Sequence, residues 1–85
     1  MYYLNWKPEV VEQLAAIWLA HPNHQNHLTK LVEQLEHLLK YVPRNQGESR
    51  YSTVRVMFLD MLIVTFDVIE DDNRVDILDI RNKPQ

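Results

Sequence analysis

Arg44, Arg50 and Arg55, then Arg74, Arg81 and Lys83, are the residues of this chain best suited to chemistry. A guanidinium binds phosphate through two parallel N–H donors and stabilises charge that develops at phosphorus. Arg44, Arg50 and Arg55 are therefore the candidates for contacting nucleic acid. Arg50 and Arg55 have an equally good structural use, pairing with Glu48, Asp67 or Asp76.

Two other groupings invite a chemical reading. His21, His24 and His27 have a spacing that resembles a metal site, but they straddle a helix end and Pro22, with no acidic residue between them. A zinc site needs three protein ligands and an ordered outer shell, and nothing in the pattern supplies that shell. These histidines are expected as solvated loop and cap residues. Asp60, Asp67, Asp71, Asp72, Asp76 and Asp79 offer carboxylates for acid–base work. Their placement in turns and at alternating strand positions predicts solvated carboxylates instead. There is no Gly-rich phosphate loop and no metalloprotease motif, so no metal or cofactor is expected.

The elements that must position these residues are legible in the periodicity. Tyr2 to Trp6 suits an opening strand. Pro8 suits a first helical position, and Glu9 and Glu12 suit the positive end of a helix dipole. Val10, Val11, Leu14, Ile17 and Trp18 form one helical stripe, and Pro22 stops that helix. Asn23 or Asn26 is expected to cap the next helix. There, Leu28, Leu31, Val32, Leu35, Leu38, Leu39 and Val42 keep helical spacing up to Pro43. Arg44 to Thr53 holds the one glycine, Gly47, and is expected as a loop. From Val54 the period changes to two. A turn near Asp60-Met61 and a second at Glu70-Asp71-Asp72-Asn73 separate three strands.

The predicted fold is α+β, in the order β-α-α-β-β-β, with two helices on one face of a mainly antiparallel sheet. It forms a single domain over residues 1–85. Val56, Phe58, Val64, Phe66 and Val68 are assigned to the helix side. The opposite face then carries Met57, Leu59, Ile63, Ile69, Leu78 and Ile80, beside Arg55, Asp67 and Asp76. Those apolar side chains would make a patch on the order of several hundred Å², a size that marks a partner surface. Met57, Leu59, Ile63, Leu78 and Ile80 are accordingly the expected partner-binding residues, the occupant being another protein or a second copy in a homodimer.

Composition narrows the class. The chain has no cysteine, so thiol catalysis, disulfides and Cys-based zinc sites are excluded. A net charge of −3 argues against holding nucleic acid by bulk electrostatics. The opening residues lack the basic region and apolar run of a signal peptide, and Met57 to Ile69 is too short and polar to span a bilayer. The cytoplasm, with no membrane association, is the expected location.

The ordered set of segments resembles the RelE/ParE superfamily of bacterial type II toxin–antitoxin toxins. The resemblance is carried by Trp6-Lys7-Pro8-Glu9-Val10, Gly47-Glu48-Ser49-Arg50, Val54-Arg55-Val56-Met57-Phe58, Leu62 to Val68, and Arg74-Val75-Asp76-Ile77-Leu78-Asp79-Ile80-Arg81. It implies a growth-inhibiting toxin neutralised by a cognate antitoxin that folds over it. It also implies one of two targets. ParE-like members poison DNA gyrase, and RelE-like members cut mRNA on the ribosome. The nuclease members carry an arginine where this chain has Ile63, and a Tyr or His in a tail that here is Asn82-Lys83-Pro84-Gln85. If this chain were a nuclease, Arg55, Arg81 and Lys83 would have to act as the catalytic residues. The departures favour a toxin that acts by binding, gyrase-type, over a ribosome-dependent endoribonuclease or an inactive interaction module.

Overall fold

A computed structural model describes residues 1–84. The strand β1 (Tyr3–Trp6) leads into helix α1 (Pro8–Ala20), and after a 3-10 turn at Pro22–His24 the chain forms α2 (Gln25–Tyr41). A second 3-10 turn at Pro43–Asn45 precedes β2 (Glu48–Tyr51), β3 (Val54–Leu59), β4 (Leu62–Ile69) and β5 (Arg74–Asn82). The sheet has five strands in the order β1-β5-β4-β3-β2. β1 runs parallel to β5, and the other neighbours are antiparallel. Residue Gln85 of the tail lies outside the described residues.

The helices form for the expected reasons. Pro8 opens α1 with Glu9 in its first turn, and Lys40 sits in the last turn of α2, where the helix dipole favours a cation. The capping expectation fails. His24 occupies the N-cap of α2 and makes no side-chain cap bond. Asn23 is drawn into the preceding 3-10 turn, and Asn26 already lies inside the helix.

The core is a single cluster between helices and sheet. It joins Val10 and Ile17 of α1, the Leu28, Leu31, Leu35 and Leu39 stripe of α2, and Leu62, Val64, Phe66 and Val68 of β4. Val75, Ile77 and Ile80 of β5, Met57 of β3 and Leu4 of β1 complete it. Three residues of the expected stripes fall outside, the half-buried Val32 and two exposed valines. Val11, at the margin of the α1 stripe, is 52% exposed, and Val42, the C-cap beyond the last residue of α2, is 41% exposed.

The segment expected as a loop contains β2. None of its residues is buried, so it has no apolar alternation to read. It is a strand because β3 offers it an unpaired edge, with Glu48 opposite Val56 and Ser49 opposite Arg55. Gly47 makes the approach possible. Its φ is +66°, and a Cβ there would stand 2.2 Å from the Val56 carbonyl oxygen.

The sheet facing also needs correction. Asp60-Met61 is a two-residue loop, so Leu59 pairs with Leu62, Phe58 with Ile63 and Met57 with Val64. Cross-strand partners share a face. Arg55, paired with Phe66, therefore joins Met57 and Leu59 on the helix side, and Val56 and Phe58 move to the uncovered side. In β5 a register shift opposite Thr65 and Phe66 makes Leu78 an extra residue, pairing Phe66 with Ile77 and Val64 with Ile80. This reverses the alternation and sends Ile80 into the core, where it is 1% exposed. Among the described residues, no helix is long and apolar enough to cross a membrane.

Candidate functional site: the uncovered sheet face

The face away from the helices is built in rows across the strands. Phe58 of β3, Ile63 of β4 and Arg81 of β5 are consecutive neighbours in one row. Val56 and Thr65 pair in the next, and Val54, Asp67, Asp76 and Asn5 form a third that crosses all of β3, β4, β5 and β1. Phe58 is 55% exposed and Leu78 is 37% exposed, with Val56 and Ile63 half-buried beside them. The apolar centre of this face is therefore Val56, Phe58, Ile63 and Leu78.

Of the expected partner-binding residues, Ile63 and Leu78 lie where they can be reached. Met57, at 4% exposure, and Ile80 are core residues, and Leu59 packs against the core from the helix side. Phe58 and Val56 take their places on the open face. The signal that identifies them was present in the two-residue Asp60-Met61 loop, which fixes the parity of β3 against β4.

The charged residues around this centre are engaged with one another. Arg81 Nε donates to Asp79 Oδ2 at 2.9 Å. Arg74 Nε donates to Asp76 Oδ1 at 2.9 Å, and its Nη1 donates to Asp72 Oδ2 at 2.9 Å. Asn5 Nδ2 donates to the same Asp76 oxygen at 3.0 Å. Asp67, directly across from Asp76, accepts a hydrogen bond from the Thr53 hydroxyl. The two facing carboxylates thus each have their own donors. The Lys83 ammonium sits 5.7 Å from the centre of the Phe58 ring, a weak cation–π contact at an exposed position.

Burial opposes ionisation of Asp76, but hydrogen bonds from Asn5 and Arg74, with the charges of Arg74 and Lys7, outweigh it. Its pKa is therefore held below the usual carboxylate range. The sign follows from linkage. A carboxylate with a depressed folded-state pKa contributes stability above its unfolded pKa, about 3.9, and loses it as pH falls through the folded value. Urea unfolding at stepped pH will show stability flat above about pH 5 and declining below about pH 4. In Asp76→Asn that decline will be shallower. An equally steep decline would mean that other carboxylates carry it.

The remaining candidates do not converge on this face. Arg50 pairs with Glu48 at 3.5 Å on the exposed edge strand. Arg44 pairs with Glu70 at 3.4 Å, and both Glu70 oxygens accept from the Tyr2 hydroxyl at 2.9 Å. That hydrogen bond raises the Tyr2 pKa above its ordinary value. Arg55 pairs with none of Glu48, Asp67 or Asp76. Its Nε and Nη2 donate to the carbonyls of Gln46 and Gly47, at 2.7 and 3.0 Å. Arg55, Arg81 and Lys83 do not form one cationic cluster: Arg55 is held by the main chain of the β2 approach, Arg81 by Asp79, and Lys83 lies over Phe58.

The histidines tie elements together. His21 Nδ1 lies 2.9 Å from the Ile17 carbonyl oxygen, which makes Nδ1 the protonated nitrogen and leaves Nε2 to accept from Asn82 Nδ2 at 3.1 Å. His27 meets Asp60 at the β3–β4 turn. Among the described residues, no three His, Asp or Glu side chains are grouped to hold a metal ion.

No protein-family model matches the chain, and no curated protein matches it. Solved structures do. A chain of the chromosomal ParDE TA system from P. aeruginosa is similar at 22% identity, covering 99% of this chain and 98% of that one, with a TM-score of 0.78. The toxin–antitoxin complex RelBE2 from Mycobacterium tuberculosis matches at 14% identity, over 99% and 93% of the two chains, with a TM-score of 0.73. The isolated E. coli RelE toxin matches at 11% identity, over 100% and 87%, with a TM-score of 0.70.

Proposed function

From the RelE/ParE toxin fold that the chain carries, we propose that it is the toxin of a type II toxin–antitoxin pair, inhibiting growth by binding a cellular target of the gyrase type. A cognate antitoxin neutralises it by folding onto the uncovered sheet face. The observation that carries this reading is the character of that face: its centre is Val56, Phe58, Ile63 and Leu78, and the arginines at its margin are bound to carboxylates. A partner can bury such a surface. The carboxylates on that face, Asp67 and Asp76, are held by Thr53, Asn5 and Arg74, which leaves them poorly placed to supply the general acid–base catalysis that contributes about 10²–10⁴ in rate to phosphodiester cleavage.

Induced expression of the lone chain in a bacterial host tests the proposal, with growth, translation and plasmid supercoiling followed separately. The expected result is growth arrest with altered supercoiling before translation falls, relieved by co-expression of the antitoxin. Prompt translation arrest with mRNA cut in ribosomal A sites, abolished by Arg55→Ala or Arg81→Ala, would overturn it in favour of a nuclease. Unimpaired growth would point to an interaction module without toxicity.

A further inference from the structure

We propose that the cleft between the turn after α2 and the β2–β3 turn binds a phosphate group, held by Arg44 and Arg55. This site is separate from the uncovered face and independent of the toxin reading. The cleft has a volume of about 240 Å³ and is lined by Arg44, Ser52, Thr53, Arg55, Val68 and Glu70. That is below the roughly 300–1,000 Å³ of pockets for drug-sized molecules, so it suits a small anionic group.

Arg55 is the key observation. The other four arginines each have a carboxylate within 4.0 Å, and Arg55 is the one without such a partner among the described residues. It is half-buried, and a partly desolvated charge without a counter-charge is unfavourable. Its guanidinium is nonetheless fixed, because Nε and Nη2 are bonded to the Gln46 and Gly47 carbonyls. Gly47 is itself held against Val56, with no room for a Cβ, so the acceptor cannot drift. The Nη1 hydrogens are left for a ligand. A planar, pre-oriented guanidinium is the group that recognises phosphate.

Arg44 enters the same cleft from the other side. Its side chain is 72% exposed and its one ion pair among the described residues, with Glu70, is long at 3.4 Å. It can turn to a second anion at small cost. Glu70 stands at the cleft as an internal competitor, anchored by the Tyr2 hydroxyl. Ser52, in a left-handed conformation at φ 50°, adds a hydroxyl at the turn, while the Thr53 hydroxyl is engaged with Asp67. Two guanidinium groups against one carboxylate leave a net positive cleft on an acidic protein.

The test is an amide chemical-shift titration of the full chain at constant ionic strength. One arm uses inorganic phosphate, a second a nucleoside 5′-monophosphate, and a third sodium chloride. Saturable shifts at Ser52 and Thr53 are expected in the two phosphate arms and none in chloride. Arg44→Gln, on an exposed side chain, should weaken binding about tenfold, the value of one lost charge-assisted hydrogen bond. Arg55→Lys keeps the charge, loses the planar fork and should also weaken it. Glu70→Gln should tighten binding severalfold, an effect that a purely structural role for these residues would not produce. Tighter binding of the nucleotide would assign the ligand to a nucleotide terminus, and equal binding to the phosphate group alone. Shifts of the same size in the chloride arm as in the two phosphate arms, or unchanged binding in Arg44→Gln and Glu70→Gln, would overturn the proposal.

Discussion

Phe66→Ala will destabilise the protein by about 3–5 kcal/mol, most of what a domain of this size has to lose. Phe66 is fully buried in β4 and faces the Leu28, Leu31, Leu35 and Leu39 stripe across the core. Truncation removes an aromatic ring and leaves a cavity that two helices and a hydrogen-bonded sheet cannot close. Leu35→Ala, in the same core cluster and also fully buried, should lose about 2–5 kcal/mol. Urea denaturation followed by far-UV circular dichroism measures both. Because Phe66→Ala leaves little residual stability, Phe66→Leu gives a milder variant with a readable transition. Val11→Ala, on an exposed position of α1, is the control and should stay within about 0.5 kcal/mol of the parent. A Phe66→Ala loss smaller than about half a kcal/mol would mean that the helices do not pack on this face.

If the proposed antitoxin seats on the uncovered face, Ile63→Glu will lower its affinity by at least about a hundredfold. Ile63 lies between Phe58 and Arg81 in one row of the uncovered face, at the middle of the apolar patch. Interface energy concentrates in such central, desolvated positions, where a truncation costs about 2 kcal/mol or more. A carboxylate buried there, beside an Arg81 whose Nε is already bound to Asp79, adds its own desolvation penalty. Calorimetric titration of the purified pair measures the loss, and the unfolding transition of the free variant confirms that its fold is intact. Lys30→Glu, on the exposed side of α2, serves as a charge-reversal control and should bind within about threefold of the parent. Sedimentation of the lone chain distinguishes the other occupant. A dimer that Ile63→Glu dissociates would place a second copy on the face. Antitoxin binding unchanged by Ile63→Glu would move the interface elsewhere.

Both expectations depend on which way each strand faces, and that is where sequence and tertiary structure divide. The α2 stripe was legible because seven apolar residues repeat at helical spacing between His27 and Pro43, and its central line, Leu28, Leu31, Leu35 and Leu39, is the one the structure buries. The change of period at Val54 likewise determined that three strands follow, and the turns at Asp60-Met61 and Glu70 to Asn73 determined that they form hairpins. β4 was assigned correctly because Leu62, Val64, Phe66 and Val68 alternate with Ile63, Thr65, Asp67 and Ile69, a contrast that one buried face explains.

β3 had no such contrast. Val56 and Phe58 are as apolar as Met57 and Leu59, so hydrophobicity alone could not choose a face. The choice was made by pairing: a two-residue loop forces Leu59 opposite Leu62, and every other residue of β3 follows from that register. In β5 the alternation is broken by the extra residue at Leu78, which no local pattern announces because Ile77, Leu78 and Ile80 are all apolar. β2 was invisible for the opposite reason, being polar throughout and made a strand only by the unpaired edge of β3.

The sequence by itself determined the α+β class, both helices, the three C-terminal strands and the presence of a second apolar sheet face. It supplied the arginines but not their partners. Tertiary structure alone decided that Arg74 and Arg81 meet carboxylates two residues away, and that Arg55 meets main-chain carbonyls instead. The physical reason is one of range. Helical and strand periodicity record how each segment meets a core, whereas register, bulges and ion pairing depend on where a second segment comes to rest against the first.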